Sequence, residues 1–128
     1  MAFQQLEPAF TSIDLNGSII GGEQVVIADD AVATITPPRT GGFAMVTVGG
    51  NNDFPNKFAS LQIYFDVGPS LDIEAIWQAS TGAVSAVSTS DVTGTTGWDG
   101  GITIAAQTGV LKIENRLDGS KTVQVTFL

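Results

Sequence analysis

The chain has no His and no Cys among its 128 residues, so acid–base and ligating chemistry falls to carboxylates, hydroxyls and a few bases. Asp72 and Glu74 stand two apart in an alternating segment, which puts both on one face of a strand. A glycosidase needs two carboxyls flanking a sugar at about 5 to 10 Å, and strand neighbours can meet that spacing. The competing reading places both on a solvated face opposite Leu71 and Ile73. Asp29-Asp30 and the later Asp-Gly pairs offer the hard oxygen ligands that calcium takes. No Asp-x-Asp-x-Asp-Gly run with a distal Glu accompanies them, and adjacent acids at a strand end are commonly turn formers. The expectation is therefore a chain with no catalytic residue, no metal ligand and no cofactor, and not an enzyme.

Two further constellations suit binding rather than reaction. Trp98 and Asp99 lie between glycines in Gly97-Trp98-Asp99-Gly100, and an indole beside a carboxylate can stack on a sugar and accept its hydroxyls. Tyr64 joins them as a candidate ligand or glycan contact. The bland alternative folds Trp98 over the open end of the core as a plug, with Trp77 also in the core. Lys112, Arg116 and Lys121 are three of only five bases and fall close together near the C-terminus. They form either an electrostatic contact for an acidic partner or the basic protection common on edge strands. The glycine pairs at 41–42, 49–50 and 100–101 lack the lysine of a phosphate-binding loop and read as turns.

Composition narrows the partners. Thirteen acids against five bases give a net charge of −8, which disfavours nucleic-acid phosphates and anionic membranes. Hydrophobic residues reach 43% while charged ones are only 14%, the opposite of a disordered acidic tail. With mean hydropathy of +0.24, so little charge points to a second, apolar surface buried in an oligomer. Ile76, Val46, Val48 and the small-residue face of residues 80–92 are its candidates. The first residues show neither a basic region nor an apolar run, so no signal peptide is expected.

The elements that must position these residues are strands. Leu61, Ile63, Phe65 and Val67 alternate with Gln62, Tyr64 and Asp66, and the same period-two pattern returns at 102–106 and 123–127. Residues 24–28 and 42–48 read as more fully apolar, hence central, strands, and 31–36 as another that ends at Pro37-Pro38. Residues 71–78 alternate until Ile76 breaks the pattern, which leaves a short helical turn open. Residues 80–97 read as a flat strand pair or an ordered loop, and 53–58 as a loop with two phenylalanines to bury. Asp118-Gly119 between 110–116 and 121–128 predicts a tight hairpin. Short strands at intervals of about 8 to 12 residues imply an all-β, single-domain antiparallel β-sandwich, expected to be a jelly roll of about eight strands. Residues 1–16 form an N-terminal arm or first strand and 17–128 the sandwich.

Two segments carry a family resemblance: Ile27-Ala28-Asp29-Asp30-Ala31-Val32-Ala33-Thr34-Ile35-Thr36-Pro37-Pro38 leading to Gly42-Phe43, and Leu111-Lys112-Ile113-Glu114-Asn115-Arg116 continuing to Val125-Thr126-Phe127-Leu128. They resemble small β-sandwich virion structural proteins of tailed bacteriophages, of the capsid decoration (cement) or head-fibre type. The resemblance implies a homo-oligomer, expected to be a trimer, that packs on a major capsid protein or another virion component. It transfers no functional residue, since the group shares no catalytic motif. Phe3, Leu6, Phe10 and Ile13 of the arm are the expected capsid or partner contacts. A carbohydrate- or receptor-binding domain of a fibre or tail is the alternative.

Overall fold

The computed structural model describes residues 12–15, 18–49, 58–81 and 84–128. Ten strands appear in them: β1 (Ser12–Leu15), β2 (Ser18–Ile27), β3 (Ala31–Ile35), β4 (Gly41–Gly49), β5 (Phe58–Asp66), β6 (Asp72–Thr81), β7 (Val84–Ser88), β8 (Gly101–Gln107), β9 (Val110–Asn115) and β10 (Lys121–Phe127). They form a six-stranded sheet in the order β1-β2-β10-β4-β5-β6 and a four-stranded sheet in the order β3-β9-β8-β7. The all-β sandwich expected from period-two patterning is the observed architecture. It is richer in strands than the eight anticipated, and β7 runs parallel to β8.

The core lies between the sheets because one parity of each strand is apolar. Ala44, Val46 and Val48 on β4, Leu61, Ile63 and Phe65 on β5, and Val123, Val125 and Phe127 on β10 face Ile102, Ile104, Leu111 and Ile113. Phe65 and Phe127 meet edge to face at 5.5 Å. The intervening β4 places the small Ala44 opposite Phe127. Burying a chain of Leu, Ile or Phe size is worth about 1.5–3 kcal/mol, so this one-sided alternation sets the register.

The Asp118-Gly119 turn corrects the expected hairpin. Asp118 and Gly119 do take positive φ angles, 59° and 123°, yet β9 and β10 belong to different sheets. The segment is an arch. Leu117 is buried in the core, and the Asn115 amide donates to the carbonyls of Ile27 and Gly119, both at 2.8 Å, while its Oδ1 accepts the Leu117 N–H at 3.0 Å. A second arch at residues 28–30 carries β2 into β3 alongside it. The Asp118 N–H donates to Asp29 Oδ1 and the Asp30 N–H to the Asn115 carbonyl. The two arches thus fold the β2–β10 pair onto the β3–β9 pair, a wrap like that at one end of a jelly roll. The β4–β5–β6 meander departs from that pattern.

Residues 72–78 are strand, and the break at Ile76 has a physical cause. Gln62 pairs with Trp77 and Ile63 with Ala75, so Ile76 is the extra residue of a β-bulge. The bulge turns Trp77 to the outer face, where it is 53% exposed. Its expected place in the core is corrected by this one-residue shift of parity. Val46 and Val48, offered as exposed candidates, are buried, whereas Ile76 is exposed. Strands β2 and β4 are central as expected, but the apolar side is the core side alone, Val25 and Ile27 on β2 and Ala44, Val46 and Val48 on β4, and the other side is open, with Val26 and Phe43 facing out.

Candidate functional site

On the outer face of the four-stranded sheet, Glu114 projects from β9 opposite to the core residue Ile113 and is fully buried. It is buried under the chain's own loop, residues 91–100. The N–H groups of Gly94 and Thr96 donate to its Oε2 at 2.7 and 3.1 Å, the Thr96 hydroxyl donates to the same oxygen at 2.8 Å, and the Gly97 N–H reaches Oε1 at 2.6 Å. Burial pushes this carboxyl up, but the Thr96 hydroxyl and the backbone donors of Thr96, Gly94 and Gly97 outweigh it and hold it below the usual carboxylate range. Gly97 is required by space: a Cβ there would collide with the Glu114 and Thr103 side chains.

Arg116 completes the clamp. Its Nη1 donates to the Gly97 carbonyl at 2.7 Å, its Nε to Asp30 Oδ1 at 3.0 Å, and its Nη2 lies 3.6 Å from Asp99. The hydrogen bond to Asp30 raises its already high pKa further, against partial desolvation. Its carbonyl accepts the Gly100 N–H at 2.7 Å. Lys112, two residues before Glu114 and on the same face, pairs with Asp91 at 2.8 Å, and its hydrogen bond holds that carboxyl below its ordinary range.

The backbone on both sides of Trp98 is thereby pinned. The indole lies against Gly100, which has a φ of 95°, and is 60% exposed. Trp98 is a displayed side chain and does not plug the core. Asp99 beside it is exposed, but Tyr64 is on the outer face of the six-stranded sheet, so the anticipated trio is split between opposite sides of the sandwich. The three bases separate as well. Lys112 and Arg116 flank Glu114, while Lys121 sits on β10, opposite the core residue Ile27, and is buried. Both strands are internal to their sheets, so edge protection does not explain these bases.

Asp72 and Glu74 are both exposed on the outer side of β6, with Ile73 buried between them, and Asp72 Oδ1 accepts the Ile73 N–H at 2.9 Å. Asp29 and Asp30 serve the arches. No three acidic side chains converge to hold a metal ion among the described residues. Phe3, Leu6 and Phe10 lie outside the described residues, and Ile13 is on β1.

Sequence reasoning missed Glu114. The signal was present as an acid at the non-core parity of an apolar strand, together with a nearby Gly/Thr loop, residues 93–97, rich in donors and without charge. Nothing local announces that the two meet, since they are separated by the whole of β8.

The outer face of the six-stranded sheet is built differently. Thr122, Gln124 and Thr126 on β10, Phe43, Met45 and Thr47 on β4, and Ser60, Gln62 and Tyr64 on β5 share it, and none is charged. Phe43 and Tyr64 pack edge to face at 5.9 Å. Trp77 stands across from Gln62 on β6. Phe43 is 46% exposed, and Leu128, whose N–H donates to the Phe43 carbonyl, is exposed beside it.

No family model matches the chain, and no curated protein does. Among solved structures, the tailspike protein of an Acinetobacter phage aligns over 98% of this chain with a TM-score of 0.47 and 14% identity. The chain spans 24% of that protein's length. At that level the likeness carries no argument about function.

Proposed function

We propose that the chain is a structural protein of a phage-like virion, decorating or cementing a capsid by packing rather than by reaction. The observation that carries this reading is that large aromatic side chains stay exposed on opposite faces of the sandwich. Phe43 and Trp77 stand on the six-stranded face, whose centre on β10, β4 and β5 is uncharged, and Trp98 stands on the loop over the other sheet. A body that bridges neighbours needs at least two such surfaces, and contiguous apolar exposure marks interaction sites. The clamp of Glu114 and Arg116 supports it further, because a rigid display loop loses little conformational entropy on docking. The family resemblance of residues 27–43 and 111–128 supports the virion setting. The expected arm contacts, from Phe3 to Ile13, are a second attachment under this reading. The test is co-sedimentation of the chain with native particles from cells that produce them. Saturable binding that falls at least tenfold with Trp98→Ala or on deletion of residues 1–10 is expected; an absence of binding by the intact chain overturns the reading.

A second reading, a carbohydrate-binding domain of a fibre or tail, is favoured by the exposure of Trp98 beside Asp99. Glycan binding lost in Trp98→Ala, with the melting temperature unchanged, supports it.

A further inference from the structure

We infer that the outer face of the six-stranded sheet is the contact between two copies of this chain, packed sheet on sheet about a two-fold axis. The proposal deepens the assembly reading by assigning one of the two open surfaces to a second copy and leaving the Trp98 loop for the particle. Charge is the first argument. A chain of net charge −8 repels its own copies, so self-association needs a contact free of that charge. The exposed faces of β10, β4 and β5 supply one, with the acids Asp66, Asp72 and Glu74 confined to the corner where β5 meets β6. Depletion of charge with enrichment in aromatics and Met is the composition of an interface centre, and here Phe43, Tyr64, Met45 and Trp77 provide it.

Area is the second argument. Four strands, β2, β10, β4 and β5, spaced about 4.8 Å apart and about seven residues long at about 3.3 Å each, project about 440 Å². The accessible area of a face studded with side chains exceeds its projection, which puts it at the small end of specific interfaces, whose standard size is roughly 800 Å² per partner. Shape is the third. Twisted sheets pack face to face at about 10 Å with their strands about 30° apart, and a surface that meets its own copy closes with two protomers.

The test is light scattering and sedimentation of the full chain over a hundredfold dilution, with Gln124→Glu and, separately, Thr47→Glu placed in the uncharged field. Both positions are exposed, and circular dichroism checks that the variants retain strand structure. Thr34→Glu, exposed on β3 of the other sheet, is the control. The expected result is a two-protomer mass for the wild type and Thr34→Glu, with at least a hundredfold weaker association in both face variants. A wild-type monomer at every concentration overturns the proposal, whether residues 1–11 or the particle covers the face. A three-protomer mass overturns the two-fold packing, and a mass indifferent to both face charges overturns the surface. Co-sedimentation with particles is read separately: binding by a monomeric chain would leave the assembly reading standing while this inference falls.

Discussion

The two outer faces of the sandwich handle polarity in opposite ways. On the four-stranded side, charge is concentrated and roofed over: Glu114 is buried under residues 91–100, with Arg116 and Lys112 tied to Asp30, Asp99 and Asp91 around it. On the six-stranded side, the acids Asp66, Asp72 and Glu74 are confined to one corner and the outer residues at the centre of β10, β4 and β5 carry no charge, so the face stays open. The difference shows where local stability resides. The first face depends on a polar network that is costly to leave incomplete, while the second is stabilised by core packing beneath it and tolerates change on its surface.

Removing the centre of the network should have the largest effect. Glu114→Ala leaves the N–H groups of Gly94, Thr96 and Gly97 without their acceptor and should cost about 3 kcal/mol in urea unfolding. A loss below about 1 kcal/mol would mean water replaces the carboxylate and the contrast between faces is superficial. Next comes Gly97→Ala, whose Cβ would strike Glu114 and Thr103. It should cost about 2 kcal/mol, and emission from Trp98, isolated by Trp77→Phe, should shift as the loop is displaced.

Acid probes the same network without mutation. The folded Glu114 carboxyl is held below its ordinary value of about 4.3, so its contribution is complete above that pH and is lost as pH falls through the lower folded value. Wild-type stability should decline from pH 5 to pH 3 more steeply than that of Glu114→Gln. Equal slopes would show that other carboxylates dominate acid unfolding. The smallest effect belongs to the open face: Trp77→Ser, measured in the Gln124→Glu background to remove any association, should change stability by no more than about 0.5 kcal/mol. A cost near that of Glu114→Ala would erase the comparison.

Much of the fold was legible in the residues themselves. Alternation at 61–67 and 123–127 named strands and their core faces, because a strand exposes its two sides with period two and burial of one side is decisive; at 102–106 it named the strand and its core face, but Thr103 and Ala105 on the other side are buried as well. The turn chemistry of Asp118-Gly119 was also correct, as was the disruption at Ile76. What each did was decided elsewhere. A positive-φ turn closes a hairpin or rounds a corner with the same backbone, and the burial of Leu117 and the hydrogen bonds of Asn115 make it an arch. A bulge is visible only against its partner strand, and it alone moved Trp77 from the expected core to the surface. Local sequence therefore determined most of the strands, their parity outside the bulge and the positions of the turns, since those depend on neighbouring residues. Which strands pair, which acid meets which loop, and which aromatics stay exposed were decided by tertiary structure, because they depend on contacts between segments far apart in the chain.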